Sequence, residues 1–347
     1  MPSTPKISVV MSAYNAAAYL DEAVTSILGQ TFHDFEFVII NNGSIDDTGA
    51  ILDGYQKLDS RIRVYYHEQE GLIPALNYAC RLARARYVAF MDADDISLPR
   101  RLQLQLEYLE AYPEIGIVGA WVHKMNKDGS PRVAWCPSSS PKMLKWTHFF
   151  GMCCCCPSAM MRREILEQLD FFRSDLIHAQ DVDLWLRASL ITEFSCVQEI
   201  LYKYRVWPGS ITQFHLHAVR ETHVRLLASF IKDFLNVDPP LEAVAGLRQT
   251  RVGPLFENLS QIRATVALIQ DLYWQFAKEN SLSPEESREI SWDAAKRVAS
   301  LALQAWRFDN RGFMSLSMRA LKLNYRLLNP SAIMKGLERR WSFNCAG

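Results

Sequence analysis

The chain has 347 residues, 38 Lys and Arg against 38 Asp and Glu, and 49% apolar residues. That length carries a sizeable core and either two domains or one domain with a long appendage. The balanced charge excludes the basic excess of a nucleic-acid-binding protein, and the composition is that of a folded globular chain. The start, Met1 to Lys6, is polar and lacks the basic and then apolar pattern of a signal peptide. No apolar run reaches the roughly 18 residues of a spanning helix. The expectation is a cytoplasmic protein, in which the Asn-x-Ser matches at Asn42 and Asn258 are not glycosylated.

Ile7 to Met11 reads as a buried strand, and Ala18 to Leu28 as a helix with Leu20, Val24, Ile27 and Leu28 on one face. Phe35 to Ile40 is the second strand; Asp46 to Leu58 is the second helix, with Ser44 or Asp46 as its cap. Arg63 to His67 is a third strand, and Pro74 to Arg84 a helix that begins at proline. Tyr87 to Met91 is a fourth strand, and Pro99 to Tyr112 a helix with a Leu102, Leu106 and Leu109 stripe. Beyond these, Ile117 to Met125 and Ser195 to Tyr204 read as strands, with a helix near Asp181 to Leu190 between them. After Ser210 the pattern is almost wholly helical, which places a boundary near 215 and gives domains 1–215 and 216–347.

Strand and helix in alternation predict an α/β fold with a mainly parallel sheet covered on both faces. Ligands of such sheets bind beyond the carboxyl ends of the strands. Three loops fall there: Ser12 to Asn15, Asn41 to Ser44, and Asp92 to Asp95. The last leaves the apolar run Val88-Ala89-Phe90-Met91, which holds nothing to neutralise its aspartates. Unpaired buried carboxylates are costly, so a cation is expected to share the site, and hard oxygen donors suit Mn2+ or Mg2+. An N-cap role for Asp95 or Ser97 does not explain three aspartates. Cys153 to Cys156 lack zinc-site spacing and read as small buried apolar residues. His215, His217 and His223 lack the Cys or carboxylate partners of a metal site. Residues 291–347 are rich in Lys, Arg and aromatics, among them Lys296, Arg297, Trp306, Phe313, Lys335, Trp341 and Phe343. Such an end is either a solvated helix face or a peripheral contact with an anionic membrane.

Four stretches together resemble glycosyltransferase family 2. They are Ile7 to Asn15; Gln30-Thr31-Phe32 with Phe35 to Ser44; Tyr87 to Asp95 with Leu98-Pro99 and Arg101-Leu102; and Gln180 to Arg187. The resemblance covers about residues 5–210 and implies the GT-A fold, Rossmann-like and flanked by helices, followed by a mostly helical C-terminal region. It implies an inverting transferase that takes a sugar from a nucleotide-sugar donor to a saccharide or lipid-linked saccharide, in surface polysaccharide synthesis. By position, Ser12, Tyr14, Asn42 and Asp92 line the donor pocket, Asp94 binds the metal and Asp181 is the catalytic base. Gln180, Trp185 and Arg187 are candidates for the acceptor side, with a core role open for Trp185.

Two departures stand out. Asn41-Asn42 replaces the family's usual Asp-Asp, and an amide donates as well as accepts, which removes the ground for assigning uridine. Gln180 replaces a usual Glu, which takes a negative charge away from Asp181. Two alternatives share these residues: a non-catalytic nucleotide-sugar binder or scaffold, and a nucleotidyltransferase.

Overall fold

The computed structural model describes residues 4–207, 216–249 and 256–325. The described residues form two units. One joins those of 1–141 and 153–216; the other joins those of 142–152 and 217–346.

The first unit is built on β1 (Ile7–Ala13), β2 (Phe35–Asn42), β3 (Ile62–His67) and β4 (Tyr87–Phe90), which lie in parallel in the order β3-β2-β1-β4. Their continuous apolar runs follow from burial on both faces; Val9, Val10, Phe37 and Val38 have no solvent exposure. Beyond β4 the sheet becomes mixed. β8 (Met160–Arg162) runs antiparallel to β4 and to β6 (Ile115–Met125). β9 (Glu193–Arg205) runs parallel to β6, β5 (Ile96–Ser97) closes the order against β9, and β7 (Pro131–Trp135) pairs β6 off that path. The short strands β5, β7 and β8 have too few residues to show a period.

The helices arrive close to the expected bounds: α1 (Ala17–Leu28), α2 (Thr48–Leu58), α3 (Leu72–Leu82) and α4 (Arg101–Ala111). In α1 the buried residues Leu20, Ala23, Val24 and Ile27 recur at helical spacing. Leu20, Val24 and Ile27 each contribute about 1.5–3 kcal/mol on burial. No side chain hydrogen-bonds at the α4 cap, so neither Asp95 nor Ser97 caps it. Ser97 instead receives Gln30, whose buried amide also donates to the Leu98 carbonyl and accepts from the Leu102 N–H. That is the physical content of the Gln30-Thr31 motif: one side chain fastens the end of α1 to the segment between the acidic loop and α4. Later in this unit come α6 (Arg163–Gln168) and α7 (Gln180–Ala188).

The second unit is helical. It takes in most of α5 (Pro141–Thr147) with residues up to 152, then α8 (Leu216–Leu235), α9 (Leu241–Gln249), α10 (Leu259–Glu279), α11 (Pro284–Ala305) and α12 (Asn310–Leu323). Trp146 is buried among Phe149, Phe150, Tyr273 and Phe276. Its indole N–H donates to Asp293, which also holds the buried Arg297 guanidinium. Asn258 caps α10 through Gln261 N–H, and Ser283 and Glu286 form a capping box on α11. His223 is buried and His217 exposed, while His215 lies outside the described residues.

Candidate functional site

The site starts at the carboxyl ends of β1 and β2. Ser12 is half-buried and Tyr14 is 45% exposed on the turn that follows. Asn15 takes a left-handed φ of 47°, and its side chain accepts from the Ile45 N–H while its own N–H donates to Ser44. The Ala16 and Ala17 N–H groups at the start of α1 donate to Thr48 and Asp46. Donors that no helix satisfies by itself are therefore met from the second loop, and this locks the two loops together. Gly43 sits at φ +75°, where a Cβ would come 2.7 Å from the Gln69 nitrogen, so only glycine fits. Asn42 is buried; its amide donates to the Gly71 carbonyl and accepts from the Glu70 N–H. It shapes the rim by holding the 70–71 turn, a role the sequence did not reveal.

The acidic loop leaves β4 in the same region. Carboxylate oxygens of Asp92, Asp94 and Asp95 lie within 4.8 Å of one another; Asp92 is exposed, Asp94 half-buried and Asp95 buried. Desolvation by the surrounding protein, then the Asp94 and Asp181 charges, push Asp92 up to about 7 although its outer side meets solvent. Desolvation likewise raises Asp94, against the Trp207 N–H that donates to its Oδ2 at 2.8 Å. Asp95 is likewise raised, by burial and by both neighbours, which the Arg205 N–H and the Tyr202 hydroxyl only partly offset. Asp95 Oδ2 is buried without a hydrogen bond of good geometry.

The nearby cations Arg101 and Arg205 relieve this crowding only in part. The Arg205 guanidinium goes to the Asp94 and Lys127 carbonyls and to Glu22. Arg101, fully buried, donates to the Phe90 and Ala159 carbonyls and to Gln105. Three crowded oxygen donors with an unmet charge fit a hard divalent cation. Arg101 and Gln105, with Tyr202 accepting from the Asp92 N–H, hold the end of β4 in place.

Asp181 lies in the first turn of α7, where the helix dipole favours a carboxylate. Its Oδ1 accepts from the Val182 N–H, and its charge reaches Asp92. Ala179, just before the helix, is buried with a left-handed φ of 58°, an uncommon state for a residue with a Cβ. Gln180 is half-buried at the helix start. Trp185 is 1% exposed and meets Phe90 and Phe194 edge to face, so it packs in the core. Arg187 binds Asp183 and donates to the Leu169 and Phe171 carbonyls. Asn77, also buried, both donates to and accepts from the Phe172 backbone. These two side chains fasten the segment that leads to Asp181, and Asp170 and Phe171 turn it with positive φ.

The cysteine run belongs here too. Cys153, Cys154 and Cys155 are buried and Cys156 half-buried. Burial first, then the negative charge of Asp181 and Asp92, raises the Cys156 thiol. The run therefore packs beside the acidic loop and the α7 start, and nothing in its composition signalled that. Taken together, this unit brings two joined loops at the carboxyl ends of β1 and β2, an acidic cluster and one further carboxylate whose charge reaches it, an arrangement suited to displacement at a phosphorylated carbon.

Comparison with known proteins agrees. Residues 8–170 match the family model for glycosyl transferase family 2. An uncharacterised glycosyltransferase of Methanocaldococcus jannaschii is 35% identical over 207 residues, 58% of this chain and 71% of the relative. The O-antigen biosynthesis glycosyltransferase WbnJ of Escherichia coli is 32% identical over 233 residues, 65% of this chain and 89% of the relative. Among solved structures, S. aureus TarS with UDP-GlcNAc superposes with a TM-score of 0.55 at 17% identity, covering 90% of both chains. The mannosyltransferase PcManGT of Pyrobaculum calidifontis, with GDP-Man and Mn2+, gives 0.51 at 19% identity, covering 94% of this chain and 88% of that one. The fold is thus the GT-A fold with a helical C-terminal region, and the chain belongs to glycosyltransferase family 2.

Proposed function

We propose that the protein is an inverting enzyme that moves a sugar from a nucleoside-diphosphate sugar to a hydroxyl of a saccharide or lipid-linked saccharide in surface-polysaccharide synthesis. The observation that carries the reading is the Asp92, Asp94 and Asp95 cluster at the end of β4, with Asp181 near enough to act on Asp92. The names of relatives that make O-antigen, and of fold neighbours that hold UDP-GlcNAc and GDP-Man, support it.

In this mechanism Ser12, Tyr14, Asn42 and Asp92 receive the nucleotide, with the exposed Tyr14 ring available to the base. Asp94 holds a divalent ion, Mn2+ or Mg2+, together with its two neighbours. When bound, that ion offsets the charge of the departing nucleoside diphosphate as a Lewis acid. Asp181 takes the proton of the acceptor hydroxyl as its oxygen bonds to the anomeric carbon and the bond to phosphate breaks; a positioned base contributes about 10²–10⁴-fold. Gln180 lies at the acceptor side of this base, and Arg187 positions its segment.

The test is incubation with UDP-, GDP-, dTDP- and CDP-sugars and Mn2+, on wild type and Asp94→Ala. Release of a nucleoside diphosphate by wild type and not by the variant is expected. In a parallel incubation with nucleoside triphosphates and sugar 1-phosphates, pyrophosphate release would make it a nucleotidyltransferase. Tight nucleotide binding with no turnover would make it a non-catalytic binder.

A peripheral membrane contact, at the inner face of a cytoplasmic membrane, is the second part of the proposal. No helix among the described residues is long and apolar enough to cross a membrane. Leu303, Trp306, Phe308, Met314, Met318 and Tyr325 are exposed along the end of α11 and along α12. Arg307, Arg311, Arg319 and Lys322 are exposed on the same stretch, and α12 has no acidic residue. Two expected contributors drop out: Arg297 is buried against Asp293, and Phe313 is half-buried against Trp306. Lys335, Trp341 and Phe343 lie outside the described residues. Phosphatidylglycerol vesicles should sediment the protein, and salt should release it. Equal recovery with phosphatidylcholine vesicles removes this part.

A further inference from the structure

A cavity of about 550 Å³ opens on the first unit between α3 and the segment that leads from α6 to α7. Its volume lies in the roughly 300–1,000 Å³ range of small-molecule sites. Three lining arginines, Arg81, Arg173 and Arg187, face three lining carboxylates, Glu70, Asp170 and Asp175. The arginines are engaged: Arg173 binds Asp175 through two contacts of 3.1 and 2.6 Å, Arg187 binds Asp183, and Arg81 stacks on Phe171 at 4.8 Å. At Arg173 and Arg187 an anionic ligand would have to displace a carboxylate already in place, and Arg81 is covered by the Phe171 ring. A hydroxyl has no such need, because it donates to the carboxylate and accepts from the guanidinium of one pair. The wall also carries Tyr78, tilted at 57° against the His67 ring at 4.2 Å, and Phe172. Aromatic faces beside paired planar polar groups suit a sugar ring, with its apolar C–H faces and its hydroxyl rim.

The walls are tied to the reacting centre on both sides. Glu70 sits on the turn that Asn42 holds. Asn77 clamps Phe172, and Arg187 stands on the same helix as Asp181, six residues on. That offset is about 9 Å along the axis, which places the cavity beyond the reacting centre.

We propose that this cavity is a subsite for a neutral saccharide, holding the part of the acceptor glycan beyond the ring whose hydroxyl meets Asp181. This rests on the glycosyl-transfer reading above.

The test uses the full chain on a printed array of neutral and anionic bacterial oligosaccharides, followed by saturation-transfer NMR with the strongest neutral hit. Binding of neutral oligosaccharides is expected, weakened at least tenfold in Tyr78→Ala and Arg81→Ala, with Mn2+-dependent UDP or GDP binding unchanged. Asp175→Asn, at a side chain 65% exposed, serves if either variant unfolds, and the same weakening is expected from it. Binding only to anionic glycans, binding to none, or binding that folded variants leave intact overturns the subsite. Donor hydrolysis measured on the same samples separates the two claims. Hydrolysis without glycan binding refutes the subsite alone, whereas glycan binding with neither donor hydrolysis nor transfer to the bound glycan refutes the transfer reading.

Discussion

At the amino ends of β1 and β2, Glu36 is buried, yet each of its oxygens has partners: Ser8 and the Arg84 N–H on one, the Arg63 and Arg84 guanidiniums on the other. At the carboxyl end of β4, in the same sheet, Asp92, Asp94 and Asp95 crowd together while the nearest arginines hold backbone carbonyls. Burial raises Glu36, but the hydrogen bonds outweigh it and bring the carboxyl below its ordinary range. In the acidic loop burial raises all three carboxyls, and like charge adds to it at Asp92 and Asp95. One end of the sheet satisfies its charge and stabilises the fold. The other leaves charge unmet and is poised to bind what would meet it.

The largest effect that tests this contrast is on turnover. Asp181→Asn should lower sugar transfer about 10²–10⁴-fold with nucleotide affinity unchanged, as read in steady-state kinetics and a binding titration. Full activity would remove Asp181 as the base.

Next comes the satisfied end. Glu36→Gln should cost about 2 kcal/mol of stability, the scale of hydrogen bonds to a charged group, measured by urea unfolding. The cost should depend on pH. Because the folded carboxyl is lowered, its contribution is fully present above the ordinary glutamate value of about 4.3 and is lost as pH falls through the folded value. The gap between wild type and variant should therefore close on acidification from pH 5 downward. A gap that widened would contradict the assignment.

The smallest effect has the opposite sign. Asp92→Asn, without metal, should raise stability by about 1 kcal/mol, as relief of strain at an active site commonly does, while transfer falls. A variant less stable than wild type would show that the crowding is already relieved.

Much of this contrast was legible in the chain. The apolar runs of β1, β2 and β4 and the helical stripe of α1 fixed the parallel half of the sheet, and with it the three loops at its carboxyl end. Asp92, Asp94 and Asp95 followed, because no residue near them in sequence could neutralise them. The antiparallel half was less legible: β8 has three residues, β5 two, and β7 alternates little. Partners distant in sequence were not legible either. Asn42 meets Glu70 and Gly71, Asn77 meets Phe172, and Trp207 meets Asp94 across 113 positions. A single sequence carries no signal of such pairings. The cysteine run was read as buried packing, and most of it is, yet its place beside Asp92 and Asp181 depends on the register of β8 against β4. Residues 142–152 join the helical unit although their neighbours on both sides do not, because Trp146 and Phe149 find their core there.

The most direct test of the unmet charge is calorimetric titration of UDP and GDP, with and without Mn2+, on wild type and Asp94→Ala. The account predicts nucleotide binding that requires the metal in wild type and is lost in the variant. Binding of equal strength with and without Mn2+, or unchanged in Asp94→Ala, would contradict it.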